Sequence, residues 1–328
     1  MRRHRGGRTE QERGGEDGGA AGFHEPVMAE EVLAWLEPSD EGLYLDATVG
    51  GGGHALRILE RCPGCRLLAV DRDPEALEEA ARTLAPHRAR VRFLNATFDR
   101  AAADVEVRDR GLSGALLDLG VSSHQIDSEE RGFAFRRGAP LDMRMAKDLE
   151  AHDTAADLLA EASEQRLAEI FREYGEEPRA RRLAREVVRR RATRPFETSD
   201  DLVAALAGAL GRAPSQRDKA RIFQALRIAV NDELATLERS LPALREALLA
   251  GAVLVVIAYH SLEDRVVKEA FRGWSASCGC PPELPVCVCR GHALGETLTR
   301  RPVRPRAEEV ERNPRARSAL LRAWRKAA

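Results

Sequence analysis

Leu43-Tyr44-Leu45-Asp46-Ala47-Thr48-Val49-Gly50-Gly51-Gly52-Gly53-His54 is the stretch that decides the fold. A short apolar strand runs into an acid, then into four glycines, then into a helical pattern. Glycines at such a junction let the backbone turn sharply and come close to a bound molecule. A second apolar run, Leu67-Leu68-Ala69-Val70, ends in Asp71. An acid there accepts hydrogen bonds from the two hydroxyls of a ribose. The two turns read as a nucleotide-type cofactor pocket at the carboxyl edge of a parallel sheet.

Gly50, Gly52 and Ala55 also satisfy the G-x-G-x-x-A form of a dinucleotide fingerprint. A glycine-rich turn that binds nothing is the plain alternative, and the flanking strand, helix and Asp71 weigh against it. Asp46 separates the two cofactor classes. It ends the first strand ahead of the glycines, where a carboxylate can face the ammonium group of S-adenosylmethionine. A dinucleotide site has no need of an acid at that point.

Bulk composition narrows the class. The 328 residues suffice for one domain with an insertion, or for two domains. A hydrophobic fraction of 43% and a charged fraction of 32% suit a soluble globular protein. No apolar run reaches the roughly 18 residues of a membrane helix. Residues 1–22, rich in Gly, Arg and Glu, read as a disordered tail without a signal peptide. Six cysteines in such a chain point to a reducing cytoplasm.

Net charge is −1, so the whole chain does not advertise a nucleic-acid partner. Its distribution is more telling. Arg179 to Arg194 holds eight arginines against one acid, Glu186, and residues 300–328 hold ten Lys/Arg against three Glu. Such clusters either neutralise phosphates or form solvated helix faces.

Strands and helices alternate at first. The pattern predicts a helix over Pro26–Leu36, strands over Leu43–Asp46, Leu67–Asp71, Val91–Leu94 and Ala115–Leu119, and helices over Ala55–Arg61 and from Pro74 onward. This alternation implies a parallel sheet with right-handed crossovers. From about Thr154 to Leu210 only helical periodicity remains, broken at Gly175, Pro178, Pro195 and Gly211. Thr198, Ser199 and Asp200 can each cap a helix there. Ile222–Leu244 reads as one long helix. Val253–Ala258 is the clearest buried strand, and the polar segment Tyr259-His260-Ser261-Leu262-Glu263-Asp264-Arg265 follows it. The expected architecture is a Rossmann-like α/β sheet with an inserted all-helical domain.

Cys278, Cys280, Cys287 and Cys289 form two C-x-C pairs that can offer zinc four thiolates. The usual spacing is longer and three prolines stiffen the loop, so an unmetallated surface loop is the expectation. Cys62-Pro63-Gly64-Cys65 has the form of a redox motif, with a plain turn the expected reading.

Several further segments occur together. They are Asp118-Leu119-Gly120-Val121-Ser122-Ser123, Arg131-Gly132-Phe133-Ala134-Phe135, Pro140-Leu141-Asp142-Met143-Arg144-Met145, Phe223-Gln224-Ala225-Leu226-Arg227-Ile228, His260 to Lys268, and Asn313-Pro314-Arg315-Ala316-Arg317-Ser318. In this combination and order the chain resembles the ribosomal RNA small subunit methyltransferase H family, also called MraW, from about Phe23 to about Arg325.

That resemblance implies a Rossmann-like methyltransferase with a helical insertion. It places the tail at 1–22, the methyltransferase domain at 23–131 plus 214–328, and the insertion at 132–213. It implies transfer of a methyl group from S-adenosylmethionine to the exocyclic N4 of a cytidine in the decoding region of small-subunit (16S) ribosomal RNA. The partner would be that RNA or the 30S subunit, in the cytoplasm and away from membranes. Carried over by motif, Gly52, Gly53 and His54 match glycine-loop contacts to the cofactor. Asp71 matches the ribose acid, Phe98 the adenine neighbour, Asp118 the acid ending strand four, and Gln125 a polar contact beyond it. Family members usually read Ser-Ser-Pro-Gln where this chain has Ser-Ser-His124-Gln, which loosens the turn that places Gln125.

The chemistry sets the remaining candidates. The amine on cytosine C4 is a poor nucleophile, and attack on a sulfonium methyl needs near in-line geometry. Hydrogen-bond acceptors near the amine favour the reacting nitrogen. Asp118 is the leading supplier, with His260 and Asn231 behind it, and none of the three is assigned as a general base. Arg131, Phe133, Arg144 and Arg227 can hold RNA by phosphate contact or stacking, or can clamp the insertion onto the sheet. Competing readings are a methyltransferase acting on DNA or another RNA base, an NAD-dependent oxidoreductase, and a non-catalytic RNA-binding factor.

Overall fold

The central strands are apolar at nearly every position because both of their faces are covered. In β1 (Leu43–Asp46), Tyr44 packs into one core while Leu43 and Leu45 pack into another. In β5 (Leu248–Ala258), Val253, Val255 and Ile257 face the first core, and Leu254, Val256 and Ala258 face the second. This is the two-residue period of a pleated strand sandwiched between helical layers.

A computed structural model describes residues 26–122, 125, 128–133, 135–146, 153–278, 280 and 291–328. Its sheet holds β1, β2 (Arg66–Asp71), β3 (Val91–Asn95), β4 (Leu112–Asp118), β5, β6 (Gly295–Thr297) and β7 (Leu320–Lys326). Their order is β3-β2-β1-β4-β5-β7-β6. The first five run parallel; β7 is antiparallel to both β5 and β6. The sheet is thus mixed, where alternation alone implied a parallel one. Chain order reverses between β1 and β4, and a crevice opens at the carboxyl ends of strands at such a switch point.

Helices α1 (Ala29–Leu36), α2 (Gly53–Arg61), α3 (Pro74–Thr83), α4 (Phe98–Ala101) and α5 (Val105–Arg110) connect the first strands. Pro74 sits in the first turn of α3, where its missing N–H costs nothing, and the Asp73 side chain caps that helix through the Glu75 N–H. Between α2 and β2, Cys62 and Cys65 are joined by a disulfide with their Cα atoms 5.6 Å apart. The sequence favoured a plain turn there. The Pro63–Gly64 bend brings both sulfurs to the same buried side.

A separate helical layer follows: α6 (Ala155–Glu161), α7 (Glu164–Glu173), α8 (Ala180–Arg191) and α9 (Ser199–Leu210). α7, α8 and α9 each begin or end near an expected break, whereas the break between α6 and α7, at Ala162–Ser163, was not among them. Asp201 accepts from the Thr198 N–H and hydroxyl at the start of α9, and Gly211 closes it with φ +71°. The predicted helix Ile222–Leu244 is two helices, α10 (Gln216–Asn231) and α11 (Glu233–Ala247). Asp232, at φ 50°, turns the chain between them. Ile222, Phe223, Leu226 and Val230 of α10 belong to the insertion's core, with Leu159, Phe171, Leu183 and Leu206, so that core extends beyond residue 213. α12 (Ser261–Ser275) and α13 (Ala307–Arg312) complete the chain's helices among the described residues.

A candidate cofactor and methyl-transfer site at the sheet edge

Three adjacent strands each deliver one acid to the carboxyl edge. Asp46 ends β1, Asp71 ends β2 and Asp118 ends β4. The glycine run leaves β1 and enters α2 with Gly52 at φ +86°. A Cβ on Gly52 would stand 3.3 Å from Ala80 Cα and from Thr83 Cβ on α3. Only glycine meets both the left-handed backbone and the close helix contact. This turn aims the first N–H groups of α2 into the crevice, where no helical carbonyl is available to them.

Asp71 is tied into that turn. Its Oδ2 accepts from the Gly50 N–H at 2.9 Å, and its Oδ1 accepts from the Asp73 N–H at 2.9 Å. Burial pushes its carboxyl up to about 6. Asp46 is more isolated. It is fully buried, its nearest hydrogen bond is a long one from the Thr48 N–H at 3.3 Å, and burial pushes its pKa up to about 7. A buried carboxyl with so few donors suits an incoming cation.

His54 stands across from Asp118. Its Nε2 lies 3.5 Å from Asp118 Oδ2, an ion-pair contact without hydrogen-bond geometry, and that buried nitrogen has no other partner among the described residues. Burial opposes the charged ring, yet the Asp118 carboxylate holds the His54 pKa above its ordinary value. The Tyr259 hydroxyl donates to Asp118 Oδ1 at 2.9 Å, and the Asp118 N–H donates to Thr48 Oγ1 at 2.7 Å. Burial beside Asp118 pushes the Tyr259 phenol well above its ordinary range. Asp118 is therefore fixed on one oxygen while the other faces the crevice beside a histidine.

Gln125 and Phe98 complete the set. Gln125 is buried, its Nε2 donates to Asp73 Oδ2 at 3.0 Å, and its Oε1 accepts from the Ser122 N–H at 3.0 Å. His124, the departure from the family pattern, lies outside the described residues. Phe98 is half-buried at the start of α4, packed against the second core. The structure thus brings Gly52, Gly53, His54, Asp71, Asp118 and Gln125 to the carboxyl edge of the sheet.

The profile of the MraW methylase family matches residues 21–327. The chain belongs to this family. Among curated relatives, the ribosomal RNA small subunit methyltransferase H of Gemmatimonas aurantiaca is 52% identical over 308 residues, 93% of this chain and 96% of the relative. Proteins of the same name from Heliobacterium modesticaldum and Symbiobacterium thermophilum are 47% and 48% identical, each over 92% of this chain and 98% and 95% of their own lengths.

The other candidates of this family member are engaged with protein groups, from the buried Arg131 to the half-buried Arg144 and Phe133. Arg131 is 2% exposed; its Nη2 donates to Asp73 Oδ2 at 2.6 Å and to the Met145 carbonyl at 2.8 Å, and its Nη1 donates to Glu75 at 2.9 Å. Arg144 forms a fork on Asp142, and Arg227 forms one on Glu233 with both contacts at 2.9 Å. Phe133 is half-buried against the helical core. Arg131 thus bridges the Asp73 loop and the 140–146 segment, while Arg144 and Arg227 are held by acids two and six residues away. Asn231 has the same character: its Oδ1 accepts from the Met145 N–H at 2.8 Å and its Nδ2 donates to the Met143 carbonyl at 2.7 Å. His260 caps α12, its Nδ1 accepting from the Glu263 N–H.

Glu233, His260 and Glu263 bring ligand-type atoms within 4.8 Å of one another, but Arg227 already holds both oxygens of Glu233. Cys278 is exposed and Cys280 half-exposed; Cys287 and Cys289 lie outside the described residues. Among the described residues, no helix is long and apolar enough to cross a membrane. Sequence reasoning passed over Tyr259 and Asp73. Tyr259 was legible as the first polar residue after the β5 run, but its partner Asp118 is 141 positions away.

Proposed function

We propose that this chain transfers a methyl group from S-adenosylmethionine to the exocyclic N4 of a cytidine in the decoding region of small-subunit ribosomal RNA. Membership of the MraW methylase family supports methyl transfer, and the names of its relatives support ribosomal RNA as the acceptor. The observation that carries the reading is Asp118. It is an acid at the switch point, held on Oδ1 by Tyr259 and with Oδ2 3.5 Å from His54 Nε2, a contact without hydrogen-bond geometry.

The residues present fit the cofactor. Asp71 retains lone pairs for two ribose hydroxyls. Asp46 offers a buried, under-bonded carboxyl to the methionine ammonium, and the N-terminus of α2 with His54 faces the methionine carboxylate. Phe98 offers a ring face for adenine. When bound, S-adenosylmethionine supplies an electrophilic methyl on a sulfonium. The protein's own part is orientation. Asp118 accepts a hydrogen bond from the cytosine amine, which draws electron density toward the nitrogen and fixes its line of approach. Tyr259 holds one oxygen of that carboxylate, and Thr48 anchors the Asp118 backbone N–H beneath it. The target base must be unstacked to reach the crevice, so a single-stranded or flipped nucleotide is the substrate form. The substrate is the 30S subunit or its RNA, which places the enzyme in the cytoplasm.

Radiolabelled S-adenosylmethionine with undermethylated small subunits tests this directly. Label recovered as N4-methylcytidine, and lost in Asp71→Ala and Asp118→Ala, is the expected result. Absence of label on subunits, assembly intermediates and free RNA, with the cofactor bound, would overturn the acceptor assignment.

A further inference from the structure

The two arginine-rich segments of this chain are alike in charge but not in structure. On and around α8 the guanidinium groups hold the insertion together. Arg179 donates to the Leu210 carbonyl at the end of α9 at 2.5 Å, and Arg182 to Gly208 at 3.5 Å. Arg191 donates to the Leu159 and Ala162 carbonyls at the end of α6, at 2.8 and 2.7 Å. Arg189 and Arg190 share Glu186, Arg185 meets Glu164, and Arg194 meets Asp201. These cations satisfy helix C-termini, which carry unpaired carbonyls and partial negative charge. Of the eight, Arg181 alone has no partner among the described residues.

The C-terminal segment differs. Arg306, Arg322 and Arg325 are paired with Glu31, Asp264 and Glu296. Arg300, Arg301, Arg304 and Arg317 are exposed and hold no partner among the described residues. Their place in the sheet is informative. β7 starts at Leu320, which pairs with Ala258, the residue before Tyr259. Val303 is bridged to Leu321. Arg304, just past that bridge, and Arg317, just before β7, therefore flank the carboxyl rim of β5, where Tyr259 reaches Asp118. Arg300 and Arg301 continue along the outer side of β7. Glu308 and Glu311 on the intervening α13 are exposed acids, so the positive charge lies in two short arcs on either side of that helix.

We infer that the sugar–phosphate backbone of the RNA substrate docks on Arg304 and Arg317, with Arg300 and Arg301 extending the track along β7, and that α8 is not the RNA-binding helix. This rests on the methyl-transfer reading above and names the surface through which that site receives its substrate. Two exposed, uncommitted guanidinium groups at the rim, with two more farther along β7, suit phosphates, which accept their forked donors. The contact is independent of sequence and positions the strand while the crevice receives the base.

The test compares Arg304→Gln/Arg317→Gln with Arg181→Gln/Arg185→Gln on undermethylated small-subunit RNA. Binding is measured from about 50 to 200 mM KCl, and methyl transfer under saturating S-adenosylmethionine. For the rim pair, the slope of log affinity against log salt should flatten by about 1.5, because each lost phosphate contact removes roughly 0.7–0.9. KM for RNA should rise about tenfold while kcat at saturation stays within about twofold, as for a contact made equally before and during transfer. The α8 pair should match wild type, and Arg304→Lys/Arg317→Lys should keep the wild-type slope. Wild-type slope and KM in the rim pair, or the loss appearing in the α8 pair, would overturn the surface assignment. Loss of slope in the lysine pair would overturn a charge-based contact. Wild-type enzyme that methylates no RNA would overturn the functional reading, an outcome visible before any variant is compared.

Discussion

Arg131 Nη2 lies 2.6 Å from Asp73 Oδ2, and each side chain is 2% exposed. Asp73 lies two residues after Asp71, the proposed ribose acid, and donates its own N–H to it. Arg131 also holds the Met145 carbonyl of the segment leading into the helical insertion. One buried ion pair thus joins the cofactor loop to the insertion. Removing the arginine strands Asp73 in a dry site. Arg131→Ala should lower the unfolding free energy by about 3–5 kcal/mol, measured by urea denaturation, and weaken cofactor binding. Wild-type stability in that variant would show the pair is not the clamp.

Asp118 carries the methyl-transfer reading, so its loss must reach the chemistry. Asp118→Asn should lower kcat by about 10²–10³, the range found when one preorganised polar group is removed from a reacting centre. Single-turnover transfer, with cofactor at saturation, checks this. Tyr259→Phe removes only the hydroxyl that holds Oδ1 and should cost less than Asp118→Asn. A larger loss in the phenylalanine variant would reverse their assigned importance.

The Asp46 carboxyl titrates at about 7 in the folded protein and near 4 in an unfolded chain. The folded state therefore binds more protons between those values. Its contribution to stability is full below about pH 4 and is lost as pH rises through about 7. Asp71, pushed up to about 6, acts in the same direction. Thermal melts of ligand-free protein should show stability falling between about pH 5 and 8, and Asp46→Asn should flatten that fall. Binding a cationic amino group requires the ionised carboxylate, so S-adenosylmethionine should release a proton near pH 6.5. Calorimetry in buffers of different ionisation enthalpy reads this release directly, and its persistence in Asp46→Asn would rule out Asp46 as the source.

Gly52 meets a steric and a conformational demand at one position. Gly52→Ala forces a Cβ into a left-handed residue at φ +86° and to within 3.3 Å of α3. The backbone alone should cost about 1–2 kcal/mol, and the crowding should shift α2 against α3. A drop in melting temperature with weaker cofactor binding is expected. Unchanged binding would mean the turn tolerates a wider approach.

The first four strands and the Gly-rich turn were legible because each depends on neighbours in sequence: an apolar run, an acid, glycines, then a helical period. The insertion's helices were legible for the same reason, through capping residues and breaks at Gly175, Pro178, Pro195 and Gly211. β6 and β7 were not foreseen. β6 is only three residues long, and Leu320–Lys326 interleaves charged and apolar side chains in a stretch whose basic composition drew attention first. The turn at Asp232 was missed because the apolar period continues across it, and one αL residue leaves no mark on that period.

Sequence by itself determined the cofactor edge: which acids end the strands, where the chain must turn and which family pattern the segments follow. Only the tertiary structure decided what the cations do. Arg131, Arg144 and Arg227 resemble RNA contacts until Asp73, Asp142 and Glu233 are seen beside them, and the arginines of α8 until the carbonyl ends of α6 and α9 are. An arginine's role is set by the nearest acceptor in space; for Arg131 and the α8 arginines that acceptor is tens of residues away, and for Arg144 and Arg227 only the fold shows that the nearby acid is turned toward the guanidinium.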